Sequence, residues 1–159
     1  IEAMLVELDR DIPRAKVLDL MEASDLFTFP SVTETQGMVV IEAMGRGTPV
    51  LAADAMGVGY MMRKAPFEAP PFEAPGSMSR VDSGAPQGGV AVSLGDARGG
   101  WLAKAGDVDD YARLLVQVLN DKALRDSKII EADALSREYA AEAINAKLAG
   151  FYQEALAQA

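Results

Sequence analysis

Two glutamates eight residues apart, Glu34 and Glu42, carry most of the chemistry this chain can offer, with Gly37 between them. Residues 38–44 read Met-Val-Val-Ile-Glu-Ala-Met and stop at Gly45 and Gly47. That run is apolar nearly all round, the pattern of a buried helix. Glu42 is therefore expected to be buried and to need a partner, because an isolated buried charge is costly. Spacing alone leaves two partners open. Arg46 stands one turn on, where an (i, i+4) ion pair forms. The alternative is a ligand diol, such as that of a ribose, donating two hydroxyl hydrogen bonds to the carboxylate. Glu34 and Gly37 fall in the turn between a strand and that helix. There, Glu34 either closes a Ser-x-x-Glu capping box with Ser31 or faces a ligand. Gly37 is either a turn glycine or a place where a phosphate or sugar approaches the backbone. Helix N-termini favour such a ligand through their unpaired N–H groups and positive dipole.

Composition removes other chemistries. The 159 residues contain no Cys and no His. Disulfides, thiolate catalysis, Cys/His zinc sites and histidine-based triads are excluded. Acid–base work falls to carboxylates, Lys, Tyr or the substrate. With 15 basic against 24 acidic residues the net charge is −9, which argues against nucleic acid or anionic lipid as the main partner. Aromatics make up 6% of the chain, too few to suggest a base-stacking platform. The chain begins at Ile1 with an acidic segment, unlike a secretory signal, and no apolar run reaches membrane-spanning length. The non-Met start suggests a piece of something longer.

The elements that would position the two glutamates follow from periodicity. Residues 3–8 read as a short strand. Pro13 suits the first turn of a helix ending near Ser24. Leu26-Phe27-Thr28-Phe29 before Pro30 reads as a buried strand. Residues 31–37 form a loop, 38–44 the short helix and 49–53 the next strand. Helix–strand alternation predicts an α/β domain, a Rossmann-like parallel sheet flanked by helices. Residues 57–90 are rich in Gly, Pro and Ser and contain a tandem pentapeptide, Pro66-Phe-Glu-Ala-Pro70 then Pro71-Phe-Glu-Ala-Pro75. Proline excludes helix and central strand there. The segment reads as a flexible duplicated loop insertion; two phenylalanines leave an interaction or lid segment as the sharper option. Strands are expected again at 90–94 and 100–103. Asp107 reads as an N-cap, with Asp110 three residues on. Residues 107–157 then form three helices, the last over 138–156. Its stripe of Ile144, Leu148, Phe151, Tyr152 and Ala155 is expected to pack into the core.

The residues quoted above also carry a family resemblance. Ala23-Ser-Asp25-Leu-Phe-Thr-Phe-Pro30-Ser31, Glu34-Thr-Gln-Gly37, Glu42-Ala-Met and Gly47-Thr-Pro49-Val50 resemble the C-terminal domain of retaining nucleotide-sugar glycosyltransferases of the GT-B fold. The pair Glu34 and Glu42 matches that family's Glu-x7-Glu motif. The match is good over residues 15–55 and looser from Gly99 to the closing helices. It implies a partial donor-binding domain spanning residues 1–159. Glu34, as the catalytic-site carboxylate, would contact donor-sugar hydroxyls. The backbone of Thr35, Gln36, Gly37 and Met38 would face the sugar and diphosphate, and Glu42 would hold the ribose. No metal or other cofactor is implied. Basic side chains and helix N–H groups would meet the leaving diphosphate. The implied partners are a nucleotide sugar, an acceptor sugar or lipid-linked acceptor, and an acceptor-binding N-terminal domain outside this chain. The upstream strand with the family's phosphate-binding Arg/Lys pair also lies outside it, and Val92 stands near a position often acidic in members. The resemblance further implies a cytoplasmic location, with peripheral membrane association of a full-length protein as an option. A non-catalytic nucleotide-binding module and a sugar-nucleotide epimerase-like enzyme are the competing readings.

Overall fold

The computed structural model describes residues 12–63 and 95–157. The expected strands at 3–8 and 90–94, the tandem pentapeptide and most of the 57–90 insertion lie outside the described residues. Ten elements follow in order. They are α1 (Arg14–Glu22), β1 (Phe27–Phe29), α2 (Met38–Gly45), β2 (Val50–Asp54) and α3 (Met56–Met62), then β3 (Asp96–Ala97), β4 (Gly100–Lys104), α4 (Val108–Asn120), α5 (Lys122–Glu138) and α6 (Ala141–Ala157). The sheet order is β1-β2-β4-β3. β1 pairs parallel with β2, β2 parallel with β4, and β3 closes an antiparallel hairpin on β4. The α/β architecture expected from the sequence is the one observed.

β2 is the centre of the sheet, and its sequence says why. Val50, Leu51, Ala52 and Ala53 are all buried, the near-continuous apolar run of a strand covered on both faces. Side chains alternate across the pleat. Val50 and Ala52 join Val40, Ala43, Met44, Val58 and Met62 of α2 and α3, with Ala132 and Leu135 of α5, in one cluster. Leu51 joins Trp101, Ala103, Leu114 and Val118 in the other, under α4. Thus α1, α2, α3 and α5 cover one face and α4 the other.

Capping follows local sequence. Asp107 accepts from the Asp110 N–H at 3.0 Å, and Asp121 from the Leu124 N–H at 2.9 Å, which places the starts of α4 and α5. Buried Thr48 donates to the Met21 carbonyl at 2.5 Å, tying the end of α1 to the turn before β2. Lys128 of α5, also buried, donates to the Ala97 carbonyl at 3.0 Å and pairs with Glu131 and Asp96, clamping the β3–β4 hairpin. The Arg98 N–H donates to the Met62 carbonyl at 2.8 Å, joining the same hairpin to the end of α3.

Three expectations need correction. First, β1 is only half-buried, with Thr28 exposed; among the described residues it pairs on one side only, as an edge strand. Second, a helix does form within the segment read as an insertion. α3 begins at Met56, because Val58, Met61 and Met62 bury one face against the sheet and packing overrides the poor propensity of its two glycines. Third, the apolar stripe of α6 is not core. No residue of α6 is buried, and Phe151 and Tyr152 are 68% and 65% exposed. Among the described residues its main packing partner is α5.

Candidate functional site

The carboxyl ends of β1 and β2 lead into the loops preceding α2 and α3, the place where α/β sheets hold ligands. The two loops are joined. The Gly57 N–H donates to the Glu34 carbonyl at 3.2 Å. Gly57 can come this close because it lacks a side chain: a Cβ would lie 1.9 Å from the Thr35 carbonyl oxygen. Gly37 is the N-cap of α2 with φ 69°, a left-handed conformation that favours glycine. Met56, just ahead of Gly57, also has a positive φ of 41°, which is uncommon for a residue of its size.

Glu34 points back at its own loop. Its Oε1 accepts the N–H groups of Gln36 at 2.9 Å and Gly37 at 3.1 Å. These bonds, Gly37 first and then Gln36, hold its carboxyl below the ordinary value. The capping box with Ser31 is not formed. Ser31 Oγ instead accepts from the Thr33 N–H at 3.4 Å. Glu34 thus ties together the turn at the head of α2. The next N–H groups, those of Met38 and Val39, have no acceptor within the helix.

A cavity of about 780 Å³ opens beside this turn. Thr35, Gln36, Met38 and Gly57 form one side, and Tyr60 of α3 and Tyr139 at the α5–α6 junction stand on others. The guanidinium of Arg63 lies 5.4 Å from the Tyr60 ring centroid and pairs with Asp54 at 2.8 Å, which braces that wall. Burial raises the pKa of Tyr139.

Glu42 lies one turn beyond Met38 on the same face of α2. The all-apolar pattern predicts its burial, but its side chain is 29% exposed. Its ion-pair partner is not Arg46, which turns to Glu22 at 3.2 Å. Glu42 pairs instead with Arg14, the first residue of α1.

Of the six residues singled out from the sequence, Thr35, Gln36 and Met38 line the cavity. Glu34 and Gly37 form the turn behind them, and Glu42 sits one turn down α2. Sequence reasoning missed Arg14, Tyr139 and the close approach of Gly57. The Gly-Val-Gly after β2 could have suggested the last. Nothing local could have paired Arg14 with a residue 28 positions away.

Comparison with known proteins gives the following. Residues 6–75 match the family model described as glycosyl transferases group 1. D-inositol 3-phosphate glycosyltransferase of Rhodococcus erythropolis is 48% identical over 48 residues, 30% of this chain and 11% of that protein. The enzyme of the same name from Streptosporangium roseum is 26% identical over 145 residues, 91% of this chain and 26% of that protein. The chain therefore spans about a quarter or less of the curated relatives it matches. Among solved structures, sucrose-phosphate synthase from Thermosynechococcus elongatus superposes with a TM-score of 0.61 over 93% of this chain and 29% of that one, at 19% identity. Residues 6–75 are thus similar to group 1 glycosyl transferases, and the described residues share the α/β fold of part of that solved structure. Among the described residues, no helix is long and apolar enough to cross a membrane.

Proposed function

We propose that this chain is the donor side of a glycosyltransferase that moves a sugar from a nucleoside diphosphate to an acceptor with retention of anomeric configuration. Glu34 would act as the catalytic-site carboxylate, contacting donor-sugar hydroxyls. The backbone of residues 35–38 would lie along the sugar and diphosphate. Glu42 would accept two hydrogen bonds from the ribose diol. The unpaired N–H groups at the head of α2 would stabilise charge on the leaving diphosphate. The acceptor, a sugar or lipid-linked molecule, and the domain that binds it would come from outside these residues.

One observation carries this reading. Glu34 lies in the turn before α2 and Glu42 in its middle, that turn follows the carboxyl end of a parallel strand, and a cavity opens beside the intervening Thr35, Gln36 and Met38. The match of residues 6–75 to glycosyl transferases supports the same chemistry.

The test is calorimetric titration of UDP-, GDP- and ADP-sugars into the chain and a Glu42→Ala variant. Loss of charged hydrogen bonds predicts weakening by roughly tenfold or more. If a nucleotide sugar binds and Glu42→Ala leaves its affinity unchanged, the ribose assignment is wrong.

A further inference from the structure

Arg14 lies 28 residues before Glu42, in another helix, yet the two form an ion pair. Arg46, the basic residue nearest to Glu42 along α2, is engaged elsewhere with Glu22. Arg14 is 76% exposed and begins α1, so its guanidinium can shift without disturbing the core. Glu42, by contrast, stands on a helix whose neighbouring positions Ile41, Ala43 and Met44 are buried, so its backbone is fixed.

That arrangement answers an electrostatic difficulty of the proposed site. A nucleoside diphosphate is a polyanion, the chain carries a net charge of −9, and the candidate site itself presents two carboxylates, Glu34 and Glu42. A bare Glu42 beside the ribose would repel the phosphates that follow it, since like charges a few ångströms apart are unfavourable even in a partly wet site. A guanidinium on Glu42 cancels that repulsion. It also leaves acceptor capacity for a diol, since an ionised carboxylate has about four lone-pair sites.

We propose that Arg14 is a positioning residue for the anionic donor: paired with Glu42, it neutralises that carboxylate toward the diphosphate while leaving its acceptor sites to the diol. This rests on the ribose reading of Glu42. Arg14 acts through Glu42 and through the field it sets, so its effect belongs to the phosphates and not to the nucleoside.

The experiment titrates UDP, GDP and ADP, and the three matching nucleosides, into the 159-residue chain and its Arg14→Gln, Arg14→Lys and Glu42→Gln variants, each at low and high salt. Thermal melts of each variant check folding. Arg14→Gln is expected to weaken the diphosphate about five- to tenfold and the nucleoside less than about twofold. It should also flatten the salt dependence, and Arg14→Lys should retain most of the affinity. Equal loss on nucleoside and diphosphate would make Arg14 a structural prop. Unchanged or tighter diphosphate binding would make the ion pair irrelevant or a competitor of the donor; each of these results overturns the proposal. The two readings fail separately. Glu42→Gln without effect on nucleoside or diphosphate removes the ribose assignment and this proposal with it. Weakening by Glu42→Gln with no response to Arg14→Gln removes this proposal alone. If no nucleotide in the panel binds, both fall.

Discussion

Gly57→Ala should damage the fold and the site together, and the size of the damage follows from distances. The added Cβ would lie 1.9 Å from the Thr35 carbonyl oxygen, 2.4 Å from its carbon and 3.1 Å from the Gln36 nitrogen. All three atoms are backbone, so no side chain can rotate away. The Thr35 peptide must retreat by about 1 Å or more to reach ordinary contact. Such overpacking costs about 1–3 kcal/mol. The retreat also breaks the Gly57 N–H bond to the Glu34 carbonyl, worth about 1 kcal/mol. A total of about 2–4 kcal/mol predicts a Tm lower by roughly 5–15 °C for a chain of this size. Calorimetric or circular-dichroism melts measure it. Gly150→Ala is the control. A Cβ there meets nothing within 4 Å, in the middle of α6, so the same substitution should raise stability by up to about 1 kcal/mol. The second readout is titration with a nucleotide sugar. The displaced residues 35–37 carry the N–H groups that fix Glu34, so donor affinity should fall by about tenfold or more even at temperatures where the variant is folded. Melting within about 2 °C of wild type, with unchanged titration, would refute the contact and its link to the site.

Two further predictions concern pH. The carboxyl of Glu34 is held below its ordinary value by the N–H groups of Gly37 and Gln36, so its contribution to stability is present above about pH 4.5 and is lost as pH falls through the lowered value; denaturation of wild type and Glu34→Gln from pH 7 to pH 3 should show the gap between them closing on the acid side. Burial pushes the Tyr111 hydroxyl, which donates to the Leu51 carbonyl at 2.9 Å, to about 12. Its contribution is therefore full below pH 10 and shrinks as pH rises toward 12. Tyr111→Phe should cost about 1 kcal/mol at neutral pH, and melts between pH 9 and 12 should show that cost diminishing; a constant gap would contradict the assigned burial.

Legibility in the sequence tracked how local the cause was. β2 could be read from Pro49 and the apolar run after it, and α4 from Asp107, whose carboxylate caps the very next turn; Asp121 caps α5 in the same way, a signal that sequence reasoning missed. The turn at Glu34 and Gly37 was legible because strand, loop and helix lie within about a dozen residues. The partner of Glu42 was not, because Arg14 reaches it only once α1 has folded back across α2. Periodicity also failed on α6. An apolar stripe records that a face is apolar, and nothing in its own spacing records whether another surface covers it. β1 misled for a related reason: Phe27 and Phe29 supply apolar character, but burial depends on a neighbouring strand and covering helix that three residues cannot specify.

The hydrogen bond from the Arg98 N–H to the Met62 carbonyl has a consequence for chain length. It pins together the last turn of α3 and the β3–β4 hairpin, so the connection between them starts and finishes at a fixed closure point. The cost of closing a connection grows only with the logarithm of its length. Lengthening a stretch of about 30 residues by a five-residue duplication, as the tandem pentapeptide does, adds only about 0.1 kcal/mol on that scaling. The fold therefore sets almost no thermodynamic limit on how many such units this position holds. The closure point is what it must keep.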